Sequence, residues 1–189
     1  MLFLKFILRT GADIFGLICF MRFFLQIAKI HYGHQLAQFC VKGSNWIVLP
    51  LRRGLPAIKQ WDTASVIAAW VVYFVSFTLI TVLGIIEGGH FSGKLVLFNV
   101  LISVLMTIKS AAYVFIGALL LQAILSMTAP TADILPALHR LTAKSRAPFH
   151  FLRLGQFDFS GTVVLLILLW LTGTILPLLT RLLEGYLFV

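Results

Sequence analysis

The chain divides into two similar halves, each with an apolar helix, a basic amphipathic loop and a second apolar helix. The distance between matching positions falls from 100 residues at the phenylalanines to 96 at the aspartates. The matched pairs, in chain order, are Phe15 and Phe115, Gln26 and Ser126, Ser44 and Thr142, Pro50 and Pro148, and Asp62 and Asp158. This order predicts a tandem repeat of residues 1–86 and 87–189, with both copies facing the same way in a membrane.

The composition predicts an integral membrane protein. Apolar residues make up 60% of the 189 residues, against about 45–50% in soluble domains. Three runs carry no charge, namely Val66–Ile86, Ser110–Ala132 and Phe159–Thr180. Each is long enough to cross a hydrocarbon core of ~30 Å as a helix. The expected fold is all-α with transmembrane helices, in which Cys19 and Cys40 act as small packing residues.

Four membrane spans are predicted, at residues 10–29, 64–86, 110–127 and 161–182. Pro177 falls inside the fourth and is expected to kink or end that helix. The apolar stretch 95–108 is too short for an upright crossing. Hydropathy alone therefore leaves four and five crossings open.

Positive charge favours four crossings. The loop between the first two spans carries Lys29, Lys42, Arg52, Arg53 and Lys59, and the loop between the last two carries Arg140, Lys144, Arg146 and Arg153. Cytoplasmic loops accumulate Lys and Arg, and only an even number of crossings puts both loops on that side. Both termini are then outside, and residues 95–108 extend the third helix or lie in the outer interface.

Each basic loop is expected to hold a cytoplasmic amphipathic helix. Such helices lie in the membrane surface with their cations near anionic headgroups, or they pack on the transmembrane bundle, and the two interpretations are compatible. The candidate contacts to lipid or to partner proteins are Lys42, Trp46, Arg52, Arg53, Arg140 and Lys144.

Arg22 is the most suggestive single residue because it lies well inside the first span. An intramembrane arginine costs about 2.5–3.5 kcal/mol on insertion scales. One interpretation is a polar seam between the copies, formed by Arg22, Gln26, Gln122 and Ser126. The favoured alternative is that Arg22 snorkels to the nearby headgroups.

Two aspartates open helices, and a third has a basic neighbour. Asp62 and Asp158 each precede an apolar helix, so both are interpreted as N-caps. Asp13 is expected to pair with Arg9, one turn away.

The sequence indicates no catalytic residue, metal site or cofactor. His31 and His34 lack further ligands at suitable spacing and are interpreted as a solvated pair at the interface. The net charge of +9 is concentrated beside the spans. Anionic phospholipid is therefore the expected partner, rather than nucleic acid.

An ordered set of motifs resembles the bacterial YggT family over nearly the whole chain. The first copy carries it through Arg22–Gln26, Gln38–Lys42, Pro50–Arg53, Pro56–Ile58 and Asp62–Ser65, and the second through Ala123–Ser126, Leu141–Thr142 and Asp158–Ser160. The second copy departs from the pattern, because Phe149-His150-Phe151 follows Pro148 where the family repeats a proline–basic–basic element.

The resemblance implies a four-span bacterial inner-membrane protein without established enzymatic activity. Bacterial members are linked to osmotic tolerance and potassium homeostasis, or to cell division and envelope organisation; plastid relatives are linked to cytochrome b6 haem attachment and nucleoid distribution. The leading expectation is a non-enzymatic protein supporting membrane-complex assembly or osmotic homeostasis through contacts with lipid and other membrane proteins. The alternative is a potassium channel, transporter or flux regulator, which would need a homo-oligomer.

Overall fold

The computed structural model describes residues 1–28, 35–54, 62–154 and 157–188, which are almost entirely helical. The α-helices within these ranges are α1 (Leu2–Ile27), α2 (Gln35–Gly54), α3 (Thr63–Ile86), α4 (Gly93–Thr128), α5 (Leu135–Arg146), α6 (Ser160–Trp170) and α7 (Leu176–Phe188). Ala147–Leu152 forms a 3-10 helix, and β1 (Arg153–Leu154) pairs antiparallel with β2 (Phe157–Asp158). The predicted helical class is confirmed, with this short ribbon as the one addition among the described residues.

Helices α1, α3 and α4 form the core of the bundle. Ion pairs join Lys5 to Glu87 at one end and Arg22 to Asp62 at the other, so α1 and α3 run antiparallel along their length. Small side chains let the helices approach closely, as is usual where lipid supplies no hydrophobic drive for association. The buried residues along these contacts include Ala12, Gly16 and Cys19 of α1, Ala64, Ala68 and Ala69 of α3, and Ser103 and Ser110 of α4.

Three helices in the described residues are long and apolar enough to cross a membrane. They are Thr63–Ile86, Gly93–Thr128 and the continuous helix Ser160–Gly185. They correspond to the second, third and fourth predicted spans. Residues 10–27 of the predicted first span lie in α1, which carries charged residues and is not among these three.

The apolar stretch 95–108 is part of α4, which settles one of the alternatives left open by the sequence. Helix α4 has 36 residues, or about 54 Å at 1.5 Å per residue. Its first half is not an interfacial segment, because Ile102 and Met106 pack in the bundle with Ala12 and Tyr73. Asn99 also accepts a hydrogen bond from Thr81 Oγ1 at 3.0 Å.

Pro177 does not end its helix, because it is the second residue of α7 and follows a π-helical turn. Leu171–Ile175 forms a π-helical turn directly before it, and α7 then continues to Phe188. Proline lacks an N–H group, and its ring clashes with the carbonyl four residues earlier. The wider π turn accommodates both effects and lets the helix continue.

The tight approach at Gly16 generates a stability prediction. A Cβ atom at this position would lie 2.8 Å from the Tyr73 ring and hydroxyl and 3.0 Å from Ser110 Oγ. We expect Gly16→Val to push α1 from α3 and α4 and to cost about 1–3 kcal/mol, the usual range for overpacking. The readout is a lower apparent melting temperature in detergent.

Gly11→Val is the matched control, because it places the same residue in the same helix where a Cβ meets nothing within 4 Å. The change in intrinsic helix propensity from glycine to valine is common to both variants. Equal melting temperatures for the two variants would contradict the close packing at Gly16.

Candidate functional site: a buried arginine–aspartate cluster

Three helices meet at one buried carboxylate. Arg22 comes from α1, Arg52 from the last turn of α2, and Asp62 stands immediately before α3. The antiparallel pairing of α1 and α3 places Arg22 beside Asp62. Helix α2 then crosses α1, with Gly43 packed on Ile18, and brings Arg52 to the same point.

The Asp62 carboxylate is fully buried and receives several polar contacts. Arg52 donates to it at two points, from Nη2 to Oδ2 at 2.6 Å and from Nε to Oδ1 at 3.3 Å. Ser65 Oγ donates to Oδ2 at 2.7 Å, and Arg22 Nε lies 3.5 Å from the same oxygen. A fork of this kind is among the stronger polar interactions available to an arginine.

Arg22 links this carboxylate to α2. Its Nη1 donates to Ser44 Oγ at 2.8 Å and to Asn45 Oδ1 at 2.9 Å. Ser44 Oγ in turn donates to the Cys40 carbonyl at 2.6 Å. Arg22 is only 6% exposed, so the favoured expectation that it snorkels to the headgroups is wrong.

Asp62 occupies the N-cap position of α3, as predicted, but its side chain makes no capping hydrogen bond. Burial alone would raise the pKa of its carboxyl. Hydrogen bonds from Arg52 and Ser65, together with the charges of Arg52 and Arg22, outweigh burial and hold that pKa below its usual value. The carboxylate is therefore ionised at neutral pH, and its bonds to arginine make it a poor proton acceptor.

The walls around the cluster are apolar. Cys19, Phe20, Phe23 and Val48 belong to one buried group with the alanines of α3. Charged contacts are stronger in such a low-dielectric setting, and an unpaired charge there is costly. The arrangement suits a structural clamp that fixes α2 on the bundle.

A neutral version of this contact joins α4 and α5. Thr142 Oγ1 donates to Gln122 Oε1 at 2.7 Å and to the Leu138 carbonyl at 2.9 Å. In the first half, Ser44 likewise bonds both Arg22 and the carbonyl four residues before it. His139 Nδ1 lies 3.3 Å from Gln122 Nε2 and 3.2 Å from Arg146 Nη2.

The four residues of the predicted polar seam fall into separate places. Arg22 bonds to α2 and α3, and Gln122 bonds to α5. Gln26 is half-buried near the end of α1, and Ser126 is exposed and bonds the Ala123 carbonyl. Arg22 and Gln122 therefore belong to two different clusters, one in each half.

Most of the predicted surface contacts are accessible. Lys42, Trp46, Arg53, Arg140 and Lys144 are exposed, whereas Arg52 is engaged by Asp62. The Trp46 indole donates to the Gly43 carbonyl at 3.0 Å, and its ring meets Phe15 edge-on at 5.3 Å.

The structure differs from two local predictions at aspartates. The N-cap of α6 is Phe159, and Asp158 lies in β2 instead. Asp13 accepts a hydrogen bond from Tyr73 Oη at 3.0 Å, and within the described ranges it makes no ion pair with Arg9.

The sequence reasoning missed the partners that complete the two clusters. Three residues in these clusters were not predicted to contact Asp62, Arg22 or Gln122, namely Ser65, Asn45 and His139. A local signal existed for Ser65 alone, because a serine three residues after an N-terminal aspartate reaches the same helix end. The interpretation of His31 and His34 as a solvated pair falls outside the described residues, within which no group of three or more metal-ligating side chains occurs.

Comparison with known proteins gives a consistent picture. A family model described as CCB3/YggT matches residues 1–83. An uncharacterized protein of Haemophilus influenzae is 29% identical over 87% of this chain and 86% of its own length. The uncharacterized protein YggT of Escherichia coli K12 is 26% identical over 87% of this chain and 85% of its own. No solved structure matches the chain.

The cluster predicts that Asp62 contributes much more to stability than its neighbours on the surface. Asp62→Ala leaves the guanidinium groups of Arg22 and Arg52 without their counter-ion inside the bundle. Breaking a buried pair in this way costs about 3–5 kcal/mol. We expect a large fall in apparent melting temperature in detergent.

Arg53→Ala serves as the control, since Arg53 is adjacent in sequence to Arg52 but exposed. The double variant Arg52→Ala with Asp62→Ala should lose less stability than the sum of the two single changes. Additive losses would show that the two side chains are not coupled and would contradict the clamp.

Proposed function

We propose that this chain, which belongs to the CCB3/YggT family, is a non-enzymatic membrane protein that supports membrane-complex assembly or osmotic homeostasis. It acts through a positively charged surface on α2 and α5 that binds anionic phospholipid and other membrane proteins. It is expected in the bacterial inner membrane, with this surface facing the cytoplasm.

One observation carries the proposal: polar contacts anchor both surface helices to the bundle while their cations point outward. Arg22 holds α2 through Ser44, and Gln122 holds α5 through Thr142. The exposed cations on these helices are Lys42, Arg53, Arg140 and Lys144. A fixed basic surface beside a membrane attracts anionic headgroups by about 1 kcal/mol per cation.

In the proposed topology, α1 is the first of the four spans and adds to the three helices already identified by length and hydropathy. Its 26 residues reach about 39 Å as an α-helix, enough to cross a ~30 Å core. Three of its four charged side chains have partners in α3 or at its ends, as Lys5 pairs with Glu87, Asp13 with Tyr73 and Arg22 with Asp62. Paired in this way, they cost far less in an apolar layer than their number suggests.

The repeat of residues 1–86 and 87–189 is also part of the proposal. Ser44 and Thr142 are both fully buried, and both donate to a carbonyl four residues earlier. Each also bonds a polar residue of the preceding long helix, since Ser44 accepts from Arg22 and Thr142 donates to Gln122. Phe24 and Phe115 meet at 5.7 Å where α1 and α4 pack. These parallels support two copies arranged side by side.

Ion conduction is the second candidate, and the intramembrane Arg22 favours it. Its guanidinium, however, is bound by Ser44, Asn45 and Asp62. The depressed pKa of Asp62 further disfavours proton relay at neutral pH. A pore would therefore need several copies of the chain.

The topology can be tested by cysteine accessibility in a variant with Cys19 and Cys40 replaced by serine. We expect single cysteines at Lys42 and Lys144 to react with a membrane-impermeant reagent from the cytoplasmic side. A cysteine at Lys94 should react from the opposite side. Labelling of the Lys42 and Lys144 positions from opposite sides would contradict the repeat and the four-span topology.

The function can be tested by charge reversal on the two faces of the protein. In a strain lacking the gene, Lys42→Glu with Lys144→Glu should fail to restore growth under osmotic challenge and should lose crosslinked membrane partners. Arg9→Glu with Lys94→Glu reverses two exposed charges at the other end of the helices and should restore both. Equal behaviour of the two double variants would refute the basic-surface proposal.

Ion conduction predicts a different result in the same set of proteins. Liposomes that contain only the purified chain would then show potassium flux that Arg22→Lys reduces. Such flux would favour ion transport over the assembly role as the function of this protein.

A further inference from the structure

An apolar groove runs between α1 and α4 and ends beneath α5. Its volume is about 370 Å³. Met21 and Leu25 of α1 form one wall, Gly117 and Leu121 of α4 form the other, and Leu138 and Leu141 of α5 close the end. Among the residues that the structure describes, no charged side chain lines it.

The groove exists because the backbones of α1 and α4 are close at one level and leave space on one side beyond it. Gly16 and Ser110 are in close contact, so close that a Cβ on Gly16 would lie 3.0 Å from Ser110 Oγ. Further along, Gly117 and Ala118 leave the space between the helices unfilled. An added Cβ at Gly117 would meet nothing within 4 Å.

Its length identifies the kind of occupant. The lining residues of α1 run from Leu17 to Ala28, which corresponds to roughly 16 Å along a helix. This is about half of a ~30 Å hydrocarbon core, or one leaflet. A helix of a partner would need to cross both leaflets, whereas an acyl chain enters from one side and ends in the middle.

Two exposed cations of α5, the helix that closes the groove, favour an anionic headgroup. Lys144 follows Leu141 by one helical turn, and Arg140 stands between the two groove-lining leucines of α5 in sequence. Both cations are exposed. A phosphate at the level of α5 would lie among them, while its acyl chain follows the groove.

We propose that the groove between α1 and α4 binds one acyl chain of an anionic phospholipid whose headgroup rests on Arg140 and Lys144. This deepens the proposed function, because it identifies a specific lipid site beneath the surface helix. An apolar cavity of this size excludes water, so a hydrocarbon chain is the occupant that its lining selects.

Native mass spectrometry of the full chain, extracted in mild detergent, tests the site. We expect the wild type to retain one phospholipid and Gly117→Phe, which fills the groove, to lose it. Gly11→Phe is the matched control, as it adds the same ring on α1 in open space, and should retain the lipid. Gly117→Leu fills less of the groove and should give an intermediate loss, even if the phenylalanine variant proves unstable.

Headgroup selection is measured by adding phosphatidylglycerol or phosphatidylethanolamine to delipidated protein. The wild type should prefer phosphatidylglycerol, and Arg140→Glu with Lys144→Glu should abolish the preference while an acyl chain still binds. Unchanged retention in both Gly117 variants would overturn the proposal. So would a dimer of the chain that the Gly117 variants dissociate, because the occupant would then be a second copy.

Failure at this groove is distinguishable from failure of the proposed function. The charge-reversal variant at Lys42 and Lys144 would still lose growth and partners if only the lipid site were absent. If the Gly117 variants lost the lipid but grew normally, the lipid site would exist without being required for the proposed function.

Discussion

The pairing of Arg22 with Asp62 is the interaction on which the rest of the structure depends. An unpaired arginine inside an apolar bundle costs several kcal/mol, and α1 tolerates Arg22 because α3 begins with a buried carboxylate 3.5 Å away. The same carboxylate binds Arg52, and Arg22 binds Ser44. The Asp62 carboxylate thus holds α1 in the bundle and also fixes the position of α2, the surface helix that lies between α1 and α3 in the chain.

In the second half, the corresponding contact between the surface helix and the long helix is neutral. Under the proposed repeat, Gln122 takes the place of Arg22, and it bonds Thr142 as Arg22 bonds Ser44. A neutral amide needs no counter-ion, so this contact does not require a buried carboxylate. The sequence differs at the same place, because Phe149-His150-Phe151 follows Pro148 where Leu51-Arg52-Arg53 follows Pro50.

The sequence predicted the elements better than their partners. Charge-free runs identified α3, α4 and α6–α7, because length and hydropathy are local properties. The role of Asp62 was not predictable in this way: a carboxylate before a helix is usually a cap, and only the fold brings Arg52 and Arg22 to it. The burial of Arg22 depends on the same residues, which are distant in the sequence. Snorkelling was therefore the expectation from the sequence, and it is wrong. The π turn before Pro177 could not be predicted either. A proline in the sequence indicates a disturbed helix but does not specify which backbone change accommodates the ring.

The anchor of α5 also shapes the space between the halves. The bond from Thr142 to Gln122 holds α5 on α4, and the same helix places Leu138 and Leu141 over the groove. A lipid that binds only this arrangement stabilises it in proportion to its occupancy. Lipid composition would then alter how firmly the basic surface of α5 is held, which gives a non-enzymatic protein a physical means of responding to the state of its membrane.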